Sequence, residues 1–209
     1  VQSVMSIMIM IIILSSGVAM LFATGFRPRD LAILGVIAVM CGGLLVFMRP
    51  YVLERVQTFI DPSRDPLGAG YQINQSLIAV GSGEVWGKGF GQSVQKFTYL
   101  PEASTDAIFA VYAEEFGFLG SLMLVAGFLF FVLRGLWVSA RASDVFGALV
   151  TLGFVMIIGG QAFLNITAMI ALIPVGGLPL PFVSHGGSAL LMTLAMAGFM
   201  LSVSRTVRV

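Results

Sequence analysis

The sequence predicts an all-α integral membrane protein with about five transmembrane helices and one large extracytoplasmic loop. Three observations carry that expectation. The chain of 209 residues is 58% hydrophobic and only 10% charged, where soluble domains carry about 25% charged residues. Apolar runs of the roughly 20 residues that a bilayer-crossing helix needs recur along it. The arginines fall in alternate connecting loops. A net charge of +1 argues against a basic nucleic-acid surface, so no nucleic-acid partner is expected. One cysteine, Cys41, lies in an apolar run; it allows no internal disulfide and reads as a small core residue.

The first span is Val4–Thr24, free of charge, and the second is the slightly short Leu31–Met48. Residues 1–48 thus hold two membrane helices. The chain opens at Val1, already inside a hydrophobic run too long for a signal-peptide core, and is read as a fragment lacking its natural N-terminus. Residues 49–106 form the large loop. Within it, "DPSRDPLGAGYQ" carries turn punctuation. "YQINQSLIAVGSG" suits a short amphipathic helix with Ile73, Leu77 and Ile78 toward one side and Gly81 and Gly83 ending it. "WGKGFGQSVQK" is glycine-rich and suited to close backbone approach to a ligand, without the spacing of a nucleotide loop.

Residues 107–209 supply three more spans: Ala107–Leu133, interrupted by Glu114 and Glu115, then Val145–Leu172 and Gly186–Ser204. The last outer loop, 173–187, is rich in Pro and Gly, which lipid excludes unless that backbone packs in protein or lines a cavity. Arg27 and Arg29, Arg134 and Arg141, and Arg205 and Arg208 fall on one side if the spans alternate. The positive-inside rule makes that side cytoplasmic and puts residues 49–105 and 173–185 outside. Any chemistry is then expected on the outer face.

The polar residues among this hydrocarbon are the candidate functional groups. Ser104 or Thr105 is a natural N-cap for the third span, placing Asp106 in its first turn. An acid there is stabilised by the helix dipole, by about 0.3–1 kcal/mol. It is equally placed to act as a general base toward a substrate hydroxyl. Glu114 and Glu115 read as intramembrane acids, costly at about 2.5–3.5 kcal/mol each on insertion scales. At least one of them needs a cavity or a cation, whose source is sought in the absent part of the chain. Gln161 and Asn165, four residues apart on one helix face, suit interhelical hydrogen bonding or a polar groove wall. Ser184 is expected to cap the final span, and His185, the only histidine, reads as structural.

Two long stretches then resemble a known family. "RVQTFIDPSRDPLGAGYQINQSLIAVGSGEVWGKGFGQSVQKFTYLPEASTDAIFAVYAEEFGFLG" resembles the large loop and following helix of the SEDS family (shape, elongation, division and sporulation). "LPLPFVSHGGSALL" resembles that family's C-terminal signature. "GQSVQKFTYLPEASTD" looks more like the division branch, FtsW, than the elongation branch. The chain departs from the family pattern at Thr98, Gly176, His185 and Ala189.

The resemblance implies the C-terminal half of a ten-helix fold in the bacterial cytoplasmic membrane. It implies a peptidoglycan glycosyltransferase that polymerises lipid II, an undecaprenyl-diphosphate-linked disaccharide-pentapeptide, at the outer face during cell division. Asp106 matches the family's essential aspartate and would activate the acceptor's 4-hydroxyl for inverting attack on the donor's anomeric carbon. The leaving diphosphate calls for positive charge, from Arg55, Arg64, Lys88 or Lys96, or from a divalent cation. With Arg55, Lys88 and Lys96, the candidate substrate-binding residues are Glu102, Gln161, Asn165, Ser184 and Ser188. The implied partners are a class B penicillin-binding protein and other divisome membrane proteins. The alternatives are a flippase for the lipid-linked precursor and a non-catalytic scaffold that recruits the transpeptidase. The fragment by itself is expected to be inactive.

Overall fold

The computed structural model describes the chain except residues 1, 28, 31, 38–39, 41–42, 44–49, 62–64, 66–67, 99, 206 and 208–209. Cys41, Arg64, Arg208 and most of the predicted second span lie outside the described residues. The described elements are all helical: α1 Gln2–Ala23, α2 Pro50–Ile60, α3 Ala69–Ser82, α4 Gln95–Thr98, α5 Ile108–Arg141, α6 Val145–Met169 and α7 Gly187–Ser204. Four of them, α1, α5, α6 and α7, are long and apolar enough to cross a membrane.

Helix α6 is the central post, packed by α1, α5 and α7. Small residues on it let its neighbours approach, as expected where lipid supplies no hydrophobic drive between helices. Met8, Ile12 and Ser16 form the buried stripe of α1, at the four-residue spacing of one helix face. Ile12 packs over Gly160, Met20 over Gly153, and the Ser16 hydroxyl donates to the Gly153 carbonyl at 3.4 Å. Val132 of α5 sits over Gly159 of α6, and Val155 of α6 over Gly135 of α5. Phe154 and Phe199 meet edge-on, centroids 5.6 Å apart, between α6 and α7. At the end bearing the arginines, Arg134 and Arg141 lie over the Trp137 ring at 4.1 and 4.6 Å.

Helix α5 runs about 51 Å at about 1.5 Å per residue, far more than a bilayer's hydrocarbon core of about 30 Å. It breaks at Gly117, where φ is 67° and ψ −165°. From Phe118 to Arg141 it measures about 36 Å, enough to span alone. The part before the break packs instead against α3 and the loop that follows it. That loop supplies what the break removes. Lys88 and Gly89 N–H groups donate to the Glu114 and Glu115 carbonyls at 3.0 Å each, and Phe118 and Leu119 donate to the Glu84 and Val85 carbonyls at 2.8 and 3.2 Å. No side chain fits between them: a Cβ on Gly87 would collide with the Glu115 carbonyl, and one on Gly117 with the Gly87 nitrogen. The glycine-rich loop, expected to approach a ligand, thus approaches the chain's own backbone.

The apolar core sits at the end of the bundle away from the Trp137 arginines. It joins Ile73 and Ala79 of α3, Leu100, Phe109 and Ala110 around the start of α5, Met169 at the end of α6, and Val175 and Leu180 of the Pro/Gly loop. Helix α3 buries only one of the three apolar residues expected to share a side, Ile73. Its buried side carries Gln72, Ile73, Ser76 and Ala79, while Leu77 and Ile78 are exposed. The buried side is rotated from that apolar grouping toward Gln72 and Ser76.

Candidate active site

Asp106 lies in the turn before α5, not in its first helical turn. The N-cap is Ala107, with no side-chain capping bond. The capping role expected of Ser104, Thr105 and Asp106 is therefore not what holds them. Asp106 is 7% exposed. The Gln72 amide donates to its Oδ2 and the Thr105 hydroxyl to its Oδ1, both at 3.4 Å, which are long for such bonds. The same Thr105 hydroxyl lies 2.8 Å from the exposed carboxylate of Glu102. Burial raises the Asp106 carboxyl above its ordinary value. The Gln72 amide, its own backbone N–H and the Thr105 hydroxyl pull the other way, and the Glu102 charge adds to the rise. A buried, under-donated carboxylate is a stronger base once ionised than a solvated one.

The backbone beneath it is held by the far end of the chain. Asn165 of α6 donates through Nδ2 to the Asp106 carbonyl at 2.7 Å and to the Leu178 carbonyl at 2.6 Å. The Ser184 hydroxyl donates to the Thr105 carbonyl, and the His185 N–H to the Ser104 carbonyl at 2.9 Å. Ser184 also accepts from the Leu180 N–H at 2.6 Å. It does not cap α7, whose N-cap is Gly186. Gln161 donates to the Pro179 carbonyl at 2.9 Å, and Arg55 reaches the Val175 carbonyl at 2.8 Å. Gln161, Asn165 and Arg55 thus grip the Pro/Gly loop, tying irregular backbone to protein where lipid could not satisfy it. Ser188 is exposed in the first turn of α7.

The remaining cations go elsewhere. Lys88 meets Glu114 at 2.6 Å and Lys96 lies 3.9 Å from Glu115. Glu114 therefore has its partners within this chain, correcting the expectation that they lie elsewhere. Among the described residues, Glu115 has only the Lys96 ammonium at 3.9 Å, and its buried Oε1 receives no hydrogen bond. Glu114 is fully buried and also accepts from the Ser93 hydroxyl at 2.6 Å, the Ser82 hydroxyl at 3.4 Å, and the Val94 and Gln95 N–H groups at 3.4 and 3.3 Å. Among the described residues no group of three His, Cys, Asp or Glu side chains is placed to hold a metal ion.

Sequence reading singled out Asp106, Glu102, Asn165 and Ser184, and the structure gathers all four around one turn. It missed Gln72 and Thr105 as carboxylate partners. The signal for Gln72 was its place one residue before Ile73, on the side of α3 that proved buried.

A multi-pass helical membrane protein with a buried acid clamped at one end of its central helices is the class these features define. The cell cycle protein family of FtsW, RodA and SpoVE matches residues 4–209, and the chain belongs to it. It is 43% identical over 188 residues to "Stage V sporulation protein E" of Bacillus subtilis (strain 168), covering 90% of this chain and 51% of that protein. It is 40% identical over 195 residues to "Probable peptidoglycan glycosyltransferase FtsW" of Geobacter sp. (strain M18), covering 93% and 53%. Against the FtsW so described from Alkalilimnicola ehrlichii it is 42% identical over 201 residues, covering 95% and 50%. A chain of a solved peptidoglycan synthase complex, described by its "structural coordination of polymerization and crosslinking", superposes with a TM-score of 0.70 at 28% identity, over 93% of this chain and 54% of that one. The chain spans about half the length of the relatives it matches.

Proposed function

We propose that the protein to which this chain contributes is a peptidoglycan glycosyltransferase that polymerises lipid II at the outer face of the cytoplasmic membrane during cell division. The observation that carries the reading is Asp106: a buried carboxylate, kept short of donors, whose backbone is fixed by α6 and the Pro/Gly loop. In this reading an ionised Asp106 takes the proton of the acceptor sugar's 4-hydroxyl as that oxygen bonds to the donor's anomeric carbon. The anomeric bond to the diphosphate breaks on the opposite face and the configuration inverts. A diphosphate leaves without a proton, so one carboxylate suffices. Membership of the family and the names of the relatives support this assignment. Likeness to a chain of a synthase complex supports a class B penicillin-binding protein as partner. Lys88 is engaged by Glu114, Lys96 lies 3.9 Å from Glu115 and Arg55 holds the Val175 carbonyl, so the geometry singles out none of the three to face the diphosphate.

The test is polymer formation from lipid II by the full-length parent protein with its transpeptidase partner, wild type beside Asp106→Asn. Loss of glycan in a normally inserted, partner-bound variant supports the assignment. Undiminished polymer removes Asp106 from the chemistry. Transport without polymer from wild type would favour a flippase. Intact division without polymerising activity would favour a scaffold.

A further inference from the structure

Three consecutive backbone carbonyls lead into α5, those of Ser104, Thr105 and Asp106. Each is held by a donor from a segment far along the chain: the His185 N–H, the Ser184 hydroxyl and the Asn165 amide. Serial capture of neighbouring carbonyls ties that stretch of backbone to two other elements at three successive points. The donors are themselves fixed. Ser184 is 7% exposed and its oxygen accepts from the Leu180 N–H, while Asn165 is 2% exposed and shares its amide with the Leu178 carbonyl. The Asp106 side chain, by contrast, is held only by bonds of 3.4 Å. Its position therefore derives from the backbone beneath it rather than from its own partners.

We infer that Asn165 and Ser184 are positioning residues for the reaction, and that the Pro/Gly loop with the end of α6 forms a clasp that sets where the Asp106 carboxylate stands. This rests on the reading of Asp106 as the general base. Neither residue needs to touch substrate. A proton-accepting oxygen displaced by about 1 Å can lose on the order of 100-fold in rate, because the reacting hydroxyl must lie within hydrogen-bond reach.

The experiment is steady-state lipid II polymerisation by the full-length protein with its transpeptidase partner. It compares wild type, Asp106→Asn, Ser184→Ala, Ser184→Thr and Asn165→Leu, with membrane level and thermal half-life measured for each. The clasp predicts that Ser184→Ala and Asn165→Leu lower kcat by about 10- to 100-fold while KM and membrane level stay near wild type. Ser184→Thr, which keeps the hydroxyl, should retain most of the rate. Combined with Asp106→Asn, neither substitution should lower the residual rate further, since both act through that carboxylate. If Asn165→Leu fails to insert, Ser184→Ala decides. An unchanged kcat in Ser184→Ala overturns the clasp, as does a loss seen in KM rather than kcat, which would make Ser184 a substrate contact. Full activity in Asp106→Asn overturns the reading beneath it. A dead Asp106→Asn beside a normal Ser184→Ala overturns the clasp alone.

Discussion

Asp106 and Glu114 sit about two helical turns apart and are both buried, yet the chain treats them in opposite ways. Glu114 is 0% exposed and is met by an ammonium, two hydroxyls and two backbone N–H groups. Asp106 is 7% exposed and receives one amide and one hydroxyl at 3.4 Å. For Glu114 the surroundings replace the water that was lost, and the acid folds the Lys88–Gln95 segment around itself. For Asp106 the fold fixes the backbone and leaves the carboxylate wanting. Burial alone does not mark a reactive acid; these two differ in how far donors replace the water that burial removes.

Exchanging the two roles is the sharpest way to break that contrast. Asp106→Asn should cut polymerisation by about 10²- to 10⁴-fold while insertion stays normal. Glu114→Gln should keep measurable polymerisation in protein that loses activity faster on heating. The reverse result would dissolve the distinction. Next in size, Gly87→Ala forces a side chain onto the Glu115 carbonyl at a residue whose φ is +79°. Backbone strain alone costs about 1–3 kcal/mol, so the protein should show a shortened thermal half-life or fail to accumulate. Lys88→Met takes a charged donor from Glu114 and should cost about 2 kcal/mol, read as a lowered thermal-inactivation midpoint. Lys88→Met with Glu114→Gln should recover part of that loss.

The smallest effects concern how Asp106 responds to pH. Because burial raises its carboxyl, the stability it contributes is present below the ordinary carboxylate range and is lost as pH rises through the raised value. Asp106→Asn should therefore be more heat-resistant than wild type at neutral pH, with the gap closing in acid. Polymerisation should fall on acidification at a pH above the ordinary carboxylate value, as the base protonates. Gln72→Leu removes a donor that lowers that value and should move the acid limb to higher pH. A limb that stays in place would remove Gln72 from the site.

Composition and apolar run length carried the membrane class, and α6 and α7 begin within a residue of where their spans were expected. Local chemistry also marked Gly83 as the end of α3. What stayed hidden was non-local. Gly117 reads as one tolerated glycine in an apolar helix. Only contact with Gly87, thirty residues earlier, shows that it breaks α5. Ile73, Leu77 and Ile78 group toward one side of α3 by spacing, yet only Ile73 is buried. Here the core side must also carry Gln72 to a carboxylate. Ser184 reads as a cap because it precedes a helix, and its two actual partners lie four residues back and 79 residues away. Asp106 was legible because helix start, acid and motif coincide at one place in the chain.

The separation of 79 positions between Thr105 and Ser184 also has a meaning in time. A ribosome adds about 5–20 residues per second, so the turn carrying Asp106 emerges roughly 4–16 seconds before the hydroxyl that fixes it. Through that interval two further helices must enter the membrane while the acid stands unset. A nascent chain thus gains its ordered Asp106 turn only once the Pro/Gly loop has been made and has folded back onto it.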